Sequence, residues 1–147
     1  MMTRSKEIWK RILILTFTGG LAFWLANFGI SRTPIAAEYR TALSIAYLPM
    51  LVEALLGGLL IGFCVSFILI RFFGKIPGRS PILKSLILSL VVLIIVTVFL
   101  GVPSSFLTPT SGALRYFLIG VTFNVLRISV LGIVIGYLYG KLKRGTE

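Results

Sequence analysis

Four apolar runs, at about residues 12–30, 45–71, 82–102 and 113–140, decide most of what this chain can become. A helix rises about 1.5 Å per residue and the hydrocarbon core of a bilayer is about 30 Å thick, so about 20 apolar residues make one span. Continuous apolar runs of this length fit membrane helices better than buried strands. In the third run, residues 85–102 hold no charged side chain. The expected fold is therefore an all-α integral membrane protein. Residues 1–147 form a single four-span domain, arranged as two helical hairpins.

Composition supports this reading. Of 147 residues 57% are hydrophobic, and the mean hydropathy is +1.03. A soluble domain of that size cannot hide so much apolar surface. Only 13% of the residues are charged, yet the net charge is +11. Such an excess can mark a nucleic-acid binder, but here the basic residues flank the apolar runs and form no patch interleaved with aromatics. No nucleic-acid partner is expected; the bilayer is. The first eleven residues carry Arg4, Lys6, Lys10 and Arg11, and the 71–84 connection carries Arg71, Lys75, Arg79 and Lys84. The tail adds Lys141, Lys143 and Arg144, whereas the other connections and the start of the last run hold only Arg32, Arg40 and Arg115. The positive-inside rule then places both termini in the cytoplasm of a multi-pass cell-membrane protein.

Local signals set the boundaries. A basic start followed by an apolar core resembles a signal peptide, but the run at 12–30 is long for one and reads as an uncleaved first helix. Thr33-Pro34 and Ser80-Pro81 each look like an N-cap followed by proline in the first turn. A helix from 34 to 73 would be about 60 Å long. Pro49 is expected to kink it, leaving 35–47 interfacial with Tyr39 and Tyr47 at headgroup level. Trp9 reads as an interface anchor. Gly74, Pro77, Gly78 and Pro81 break the internal connection at 71–84, and residues 103–111 form an external one.

Absences narrow the chemistry. There is no histidine and no aspartate, and the one cysteine, Cys64, lies inside an apolar run. A histidine-carboxylate metal site and a serine-histidine triad cannot be built within one chain. No catalytic residues, metal or cofactor are expected, and Cys64 reads as a small packing residue. The sequence carries no motif of a characterised family.

Two patterns remain. Gly58 and Gly62 form one GxxxG, and Gly132, Gly136 and Gly140 form two in tandem. Such spacing lines a groove into which another backbone fits, either inside the bundle or at a homodimer seam. A shift of 74 residues lays Gly58 on Gly132, Gly62 on Gly136 and Glu53 on Arg127, which hints at a weak parallel repeat of two hairpins. The second pattern is a polar layer. Counted from the cytoplasmic end of each helix, Asn27 lies about 24 Å up, Glu53 about 27 Å, Asn124 about 25 Å and Arg127 about 21 Å. Charge in hydrocarbon is costly unless paired or hydrated, so Glu53 and Arg127 are expected to pair or to line a polar pathway. On either helix the charged position lies about 140° from the first glycine of its groove, so groove and charge face different neighbours.

Two functions fit. One is a non-enzymatic structural or accessory membrane protein, self-associating or joined to a partner membrane protein through its glycine faces. The other is a small transporter or channel built on Asn27, Glu53, Asn124 and Arg127. The basic connection Arg71, Lys75, Arg79 and Lys84 is a candidate contact for anionic headgroups. The topology is tested with single cysteines at positions 3, 105 and 146 in a Cys64→Ser background. Positions 3 and 146 should label from the cytoplasmic side alone and position 105 from outside alone; the converse pattern would invert the orientation.

Overall fold

The computed structural model describes residues 2–103 and 111–146. Five α-helices are present among them: α1 (Met2–Ser31), α2 (Pro34–Ala42), α3 (Tyr47–Phe72), α4 (Pro81–Val96) and α5 (Ala113–Arg144). A 3-10 turn (Phe73–Lys75) follows α3, and a π-helical turn (Thr97–Gly101) prolongs α4. There is no strand among the described residues. Four segments are long and apolar enough to cross a membrane: Thr3–Ser31, Tyr47–Lys75, Pro81–Gly101 and Ala113–Arg144. Most of the predicted external connection, residues 104–110, lies outside the described residues.

The caps form where the sequence places them. Thr33 Oγ1 accepts from the Ala36 amide at 3.3 Å, and Ser80 Oγ accepts from the Leu83 amide at 3.2 Å. Each hydroxyl satisfies one of the N–H groups that the first helical turn leaves open. The expected kink at Pro49 is not found. The chain breaks earlier, between Ala42 and Tyr47, where Ser44 takes a left-handed φ of 54°. Pro49 then falls in the first turn of α3, where no intrahelical donor is lost. The N-terminal basic stretch also differs from a simple tail: it is helical, so Arg4, Lys6, Lys10 and Arg11 lie on the first turns of α1.

The four long helices form a ring in the order α3, α1, α5, α4, closed by a thinner contact between α4 and α3. Each hairpin is joined by a glycine seam. A Cβ at Gly62 would lie 3.0 Å from the Thr16 carbonyl oxygen, and one at Gly58 would lie 3.1 Å from that of Gly20, so α3 meets α1 backbone to backbone. In the second hairpin a Cβ at Gly136 would lie 2.5 Å from Ile82 Cα, and one at Gly132 3.1 Å from Leu86 Cα. Gly140 is looser, its nearest neighbour being Pro81 Cγ at 3.7 Å. The two hairpins meet where Ile135 of α5 lies over Gly19 of α1, at 2.6 Å from its would-be Cβ.

The core is small and partly polar. Ser66, Ser85 and Ser89 are fully buried beside Leu15, Val65, Leu69, Leu131 and Ile135. The large apolar side chains face outward: Leu56, Leu60, Ile94 and Phe99 are 61–72% exposed. Water would reject such a surface, whereas lipid accepts it, and small interior residues let membrane helices approach closely. The repeat holds only for half of each hairpin. The 74-residue shift carries Gly58 and Gly62 onto Gly132 and Gly136, but it carries their partners Thr16 and Gly20 onto Leu90 and Ile94. The glycines of α5 meet Ile82 and Leu86 instead, and Ile94 faces outward.

Gly136→Leu should therefore cost about 1–3 kcal/mol or more, because α4 backbone occupies the space its side chain needs. Gly57, one residue from the seam, has nothing within 4 Å of its would-be Cβ, so Gly57→Leu should leave the stability of the single, monomeric bundle within about 0.5 kcal/mol. Unfolding of the two variants in mixed micelles compares them directly.

Candidate functional site

Three of the four residues in the predicted polar layer come together. Arg127 projects from α5 towards α1, where its Nη1 donates to Asn27 Oδ1 at 2.5 Å. Its Nη2 donates to Asn124 Oδ1, one turn earlier on α5, and its Nε to the Phe123 carbonyl at 3.3 Å. The guanidinium carbon lies 5.4 Å from the centre of the Phe23 ring, a cation–π distance. Asn27 is buried at 4% exposure, and its Nδ2 has no partner. The result is a neutral cradle of two amides, a carbonyl and an aromatic face around one positive charge.

Glu53 is not part of it. The expected pairing of Glu53 with Arg127 does not form, and Glu53 stands on the exposed side of α3 without an ionic partner among the described residues. The cause is azimuth rather than depth. The pairing of Gly58 with Gly20 and of Gly62 with Thr16 puts Glu53 level with about residue 25 of α1, near Asn27. On α5 the glycine face meets α4 and the face about 140° away meets α1. On α3 the glycine face meets α1, but the face about 140° away has no helix against it. The same angular spacing thus buries Arg127 and exposes Glu53.

The layer is roofed by α2. Tyr39 packs edge-on against Phe123 at 5.8 Å and against Tyr116 at 6.4 Å, and its hydroxyl lies 2.8 Å from where a Cβ of Gly120 would stand. Burial raises the Tyr39 phenol above its ordinary pKa, and the nearby charge of Arg127 offsets part of that rise. Glu38, to which the sequence assigned no role, holds α2 to the start of α5: it pairs with Arg115 at 3.0 Å and accepts from the Tyr116 hydroxyl at 3.5 Å. Such an exposed ion pair contributes about 0–1 kcal/mol. At the neighbouring corner Arg40 donates to the Ser31 carbonyl at 3.0 Å and covers the Tyr47 ring, while Tyr47 and Ser31 share a hydrogen bond at 3.2 Å. Trp24 ties α1 to the start of α3 through a bond from Nε1 to the Leu51 carbonyl at 3.1 Å.

The basic connection divides between two tasks. Lys84 donates to the Phe73 carbonyl at 2.7 Å and sits over the Phe73 ring, which itself stacks on Tyr139 at 4.8 Å. Lys75 lies over the Phe72 ring. Arg71 and Arg79 remain exposed. Cys64 is a free, half-buried thiol. Compared with protein-family models, curated proteins and solved structures, the chain matches none.

A double-mutant cycle tests the cradle. Asn27→Ala and Arg127→Gln should each destabilise the fold, with a coupling of about 1–2 kcal/mol because they share a hydrogen bond. Glu53→Gln and Arg127→Gln should add within about 0.5 kcal/mol, since they share no partner.

Proposed function

We propose that the chain is a non-enzymatic membrane protein of structural or accessory role, whose polar side chains brace its own bundle and which associates with a second copy through the outer face of α3. The observation that carries this reading is Glu53. It stands among Val52, Leu56 and Leu60, which are 58%, 61% and 66% exposed, about 27 Å above Arg71 and hence in the outer part of the span. A carboxylate facing lipid costs a few kcal/mol unless it is neutralised or partnered. A two-fold contact sets each Glu53 against its copy, where the two side chains hydrogen-bond across the axis and are taken out of lipid. Gly57, one turn further along and open on this face, lets the two α3 backbones approach. The seams of Gly58, Gly62, Gly132 and Gly136 are filled within the chain, so self-association moves from those faces to this one.

A second reading, an anion pathway through the outer half of the membrane, is favoured by the Arg127 cradle. Among the described residues the guanidinium has no carboxylate beside it, and Asn27 Nδ2 is a buried donor without a partner. An anion would satisfy both.

Counting fluorescent chains per spot in lipid bilayers separates these readings. The wild type and Glu53→Gln should be dimeric and Glu53→Leu monomeric, because an amide keeps the cross-axis hydrogen bond and leucine does not. A wild type that stays monomeric at every density would remove the self-association reading. Halide efflux from proteoliposomes that vanishes in Arg127→Gln, with the fold retained, would put the anion pathway in its place.

A further inference from the structure

At the cytoplasmic end, α1 and α3 flank a cleft of about 550 Å³. Its mouth is formed by Arg4, Ser5 and Arg71, and its deeper walls by Trp9, Ile12 and Phe67. The register set by Gly62 and Thr16 brings Arg71 level with about residue 7 of α1, so the two guanidiniums flank the mouth from opposite helices. Below them the Trp9 and Phe67 rings lie 6.5 Å apart, and below those the walls are aliphatic. A second groove of about 630 Å³ shares Ser5 and Trp9 and runs along the outer side of α1, adding Lys6 and Lys10 at its head and Leu13 and Phe17 below. Trp9 therefore stands between two open surface grooves, each basic at the cytoplasmic end and apolar towards the membrane interior.

We infer that this cleft, with the adjoining groove, is a binding site for one anionic glycerophospholipid of the cytoplasmic leaflet. Neither Arg4 nor Arg71 has an ionic partner among the described residues, and the nearby basic side chains Arg4, Lys6, Lys10 and Arg71 outweigh the single carboxylate Glu7. The phosphate is held between the two guanidiniums, whose planar forks suit its oxygens better than ammonium groups do. One acyl chain lies against Ile12 and Phe67 in the cleft and the other against Leu13 and Phe17 in the groove, with Trp9 at the level where the chains part. The site differs from the predicted headgroup contact at the 71–84 connection: of that set it keeps Arg71 alone, since Lys84 and Lys75 lie over the Phe73 and Phe72 rings.

The test uses the delipidated full chain in micelles, titrated with phosphatidylglycerol or phosphatidylcholine carrying the same acyl chains. Bound lipids are counted by native mass spectrometry. One phosphatidylglycerol should bind well before any phosphatidylcholine, and each guanidinium lost should lower that preference about fivefold, so the Arg4→Gln/Arg71→Gln variant should lose it roughly 25-fold. Lys75→Gln/Arg79→Gln, which removes the same charge from the neighbouring connection, should leave it unchanged. Excess inorganic phosphate at constant ionic strength should not displace the lipid. Equal binding of the two lipids would overturn the inference. So would an equal loss in both double variants, which means diffuse surface charge, or displacement by phosphate, which means an anion site without acyl selectivity. Melting of each variant in the same micelles confirms that the comparison is made on folded protein.

Discussion

A guanidinium inside a bundle of hydrocarbon side chains must keep its charge and find its hydrogen bonds within the protein. Arg127 does so with an acceptor on α1, an acceptor on its own helix, its own backbone and an aromatic face. The bond to Asn27 crosses between the two hairpins, at the more extensive of their contacts, α1 against α5. Within each hairpin the helices are already fixed by glycine contacts that leave room for no side chain. Between hairpins the contact is a branched side chain, Ile135, over Gly19, which sets separation more than register. A directional bond from Arg127 to Asn27 supplies the register. The position of α2 then follows, because Tyr39 packs on Phe123, next to the asparagine that holds the guanidinium.

The packing logic runs opposite to that of a soluble bundle. There the large apolar side chains are drawn inward by water; here lipid is as good a solvent for them as the protein interior. What draws the helices together is close backbone approach and the few polar groups that lipid cannot satisfy. Ser66, Ser85, Ser89 and the glycines therefore occupy the inside, and leucines, isoleucines and phenylalanines face out. A seam of this kind has no room for an added methyl at Gly136 and little at Gly62, where backbone faces backbone, yet within the single bundle it accepts change one residue away, as at Gly57.

Much of this was legible in the sequence, because the membrane makes length and polarity carry the fold. The spans follow from run length, the starts of α2 and α4 from Thr33-Pro34 and Ser80-Pro81, and the common depth of Asn27, Asn124 and Arg127 from a count of residues at 1.5 Å each. The break before α3 was misplaced because proline was weighed as a disrupter, whereas Pro49 in a first turn disrupts nothing and the turn at Ser44 carries no glycine or proline to announce it. The role of Glu38 was hidden because its partner Arg115 lies 77 residues away, and no spacing in the sequence relates two positions that far apart.

The separation of Glu53 from Arg127 has a different origin and explains the most about the molecule. Depth is a one-dimensional property, readable along a single helix. Whether a residue at that depth is buried depends on how many neighbours its helix has, which is a property of the ring. Because α1 and α5 are adjacent, each is covered on two sides, and the polar residues that point between them are sequestered. The closing contact between α3 and α4 is thin, so α3 is covered well on the glycine side alone. An equivalent angular offset from an equivalent glycine pair then delivers Arg127 to the protein interior and Glu53 to the lipid. The near-repeat in sequence is thereby broken in chemistry: one half of the bundle keeps its ionisable group for itself, and the other presents its group outward, where only something in the membrane can answer it.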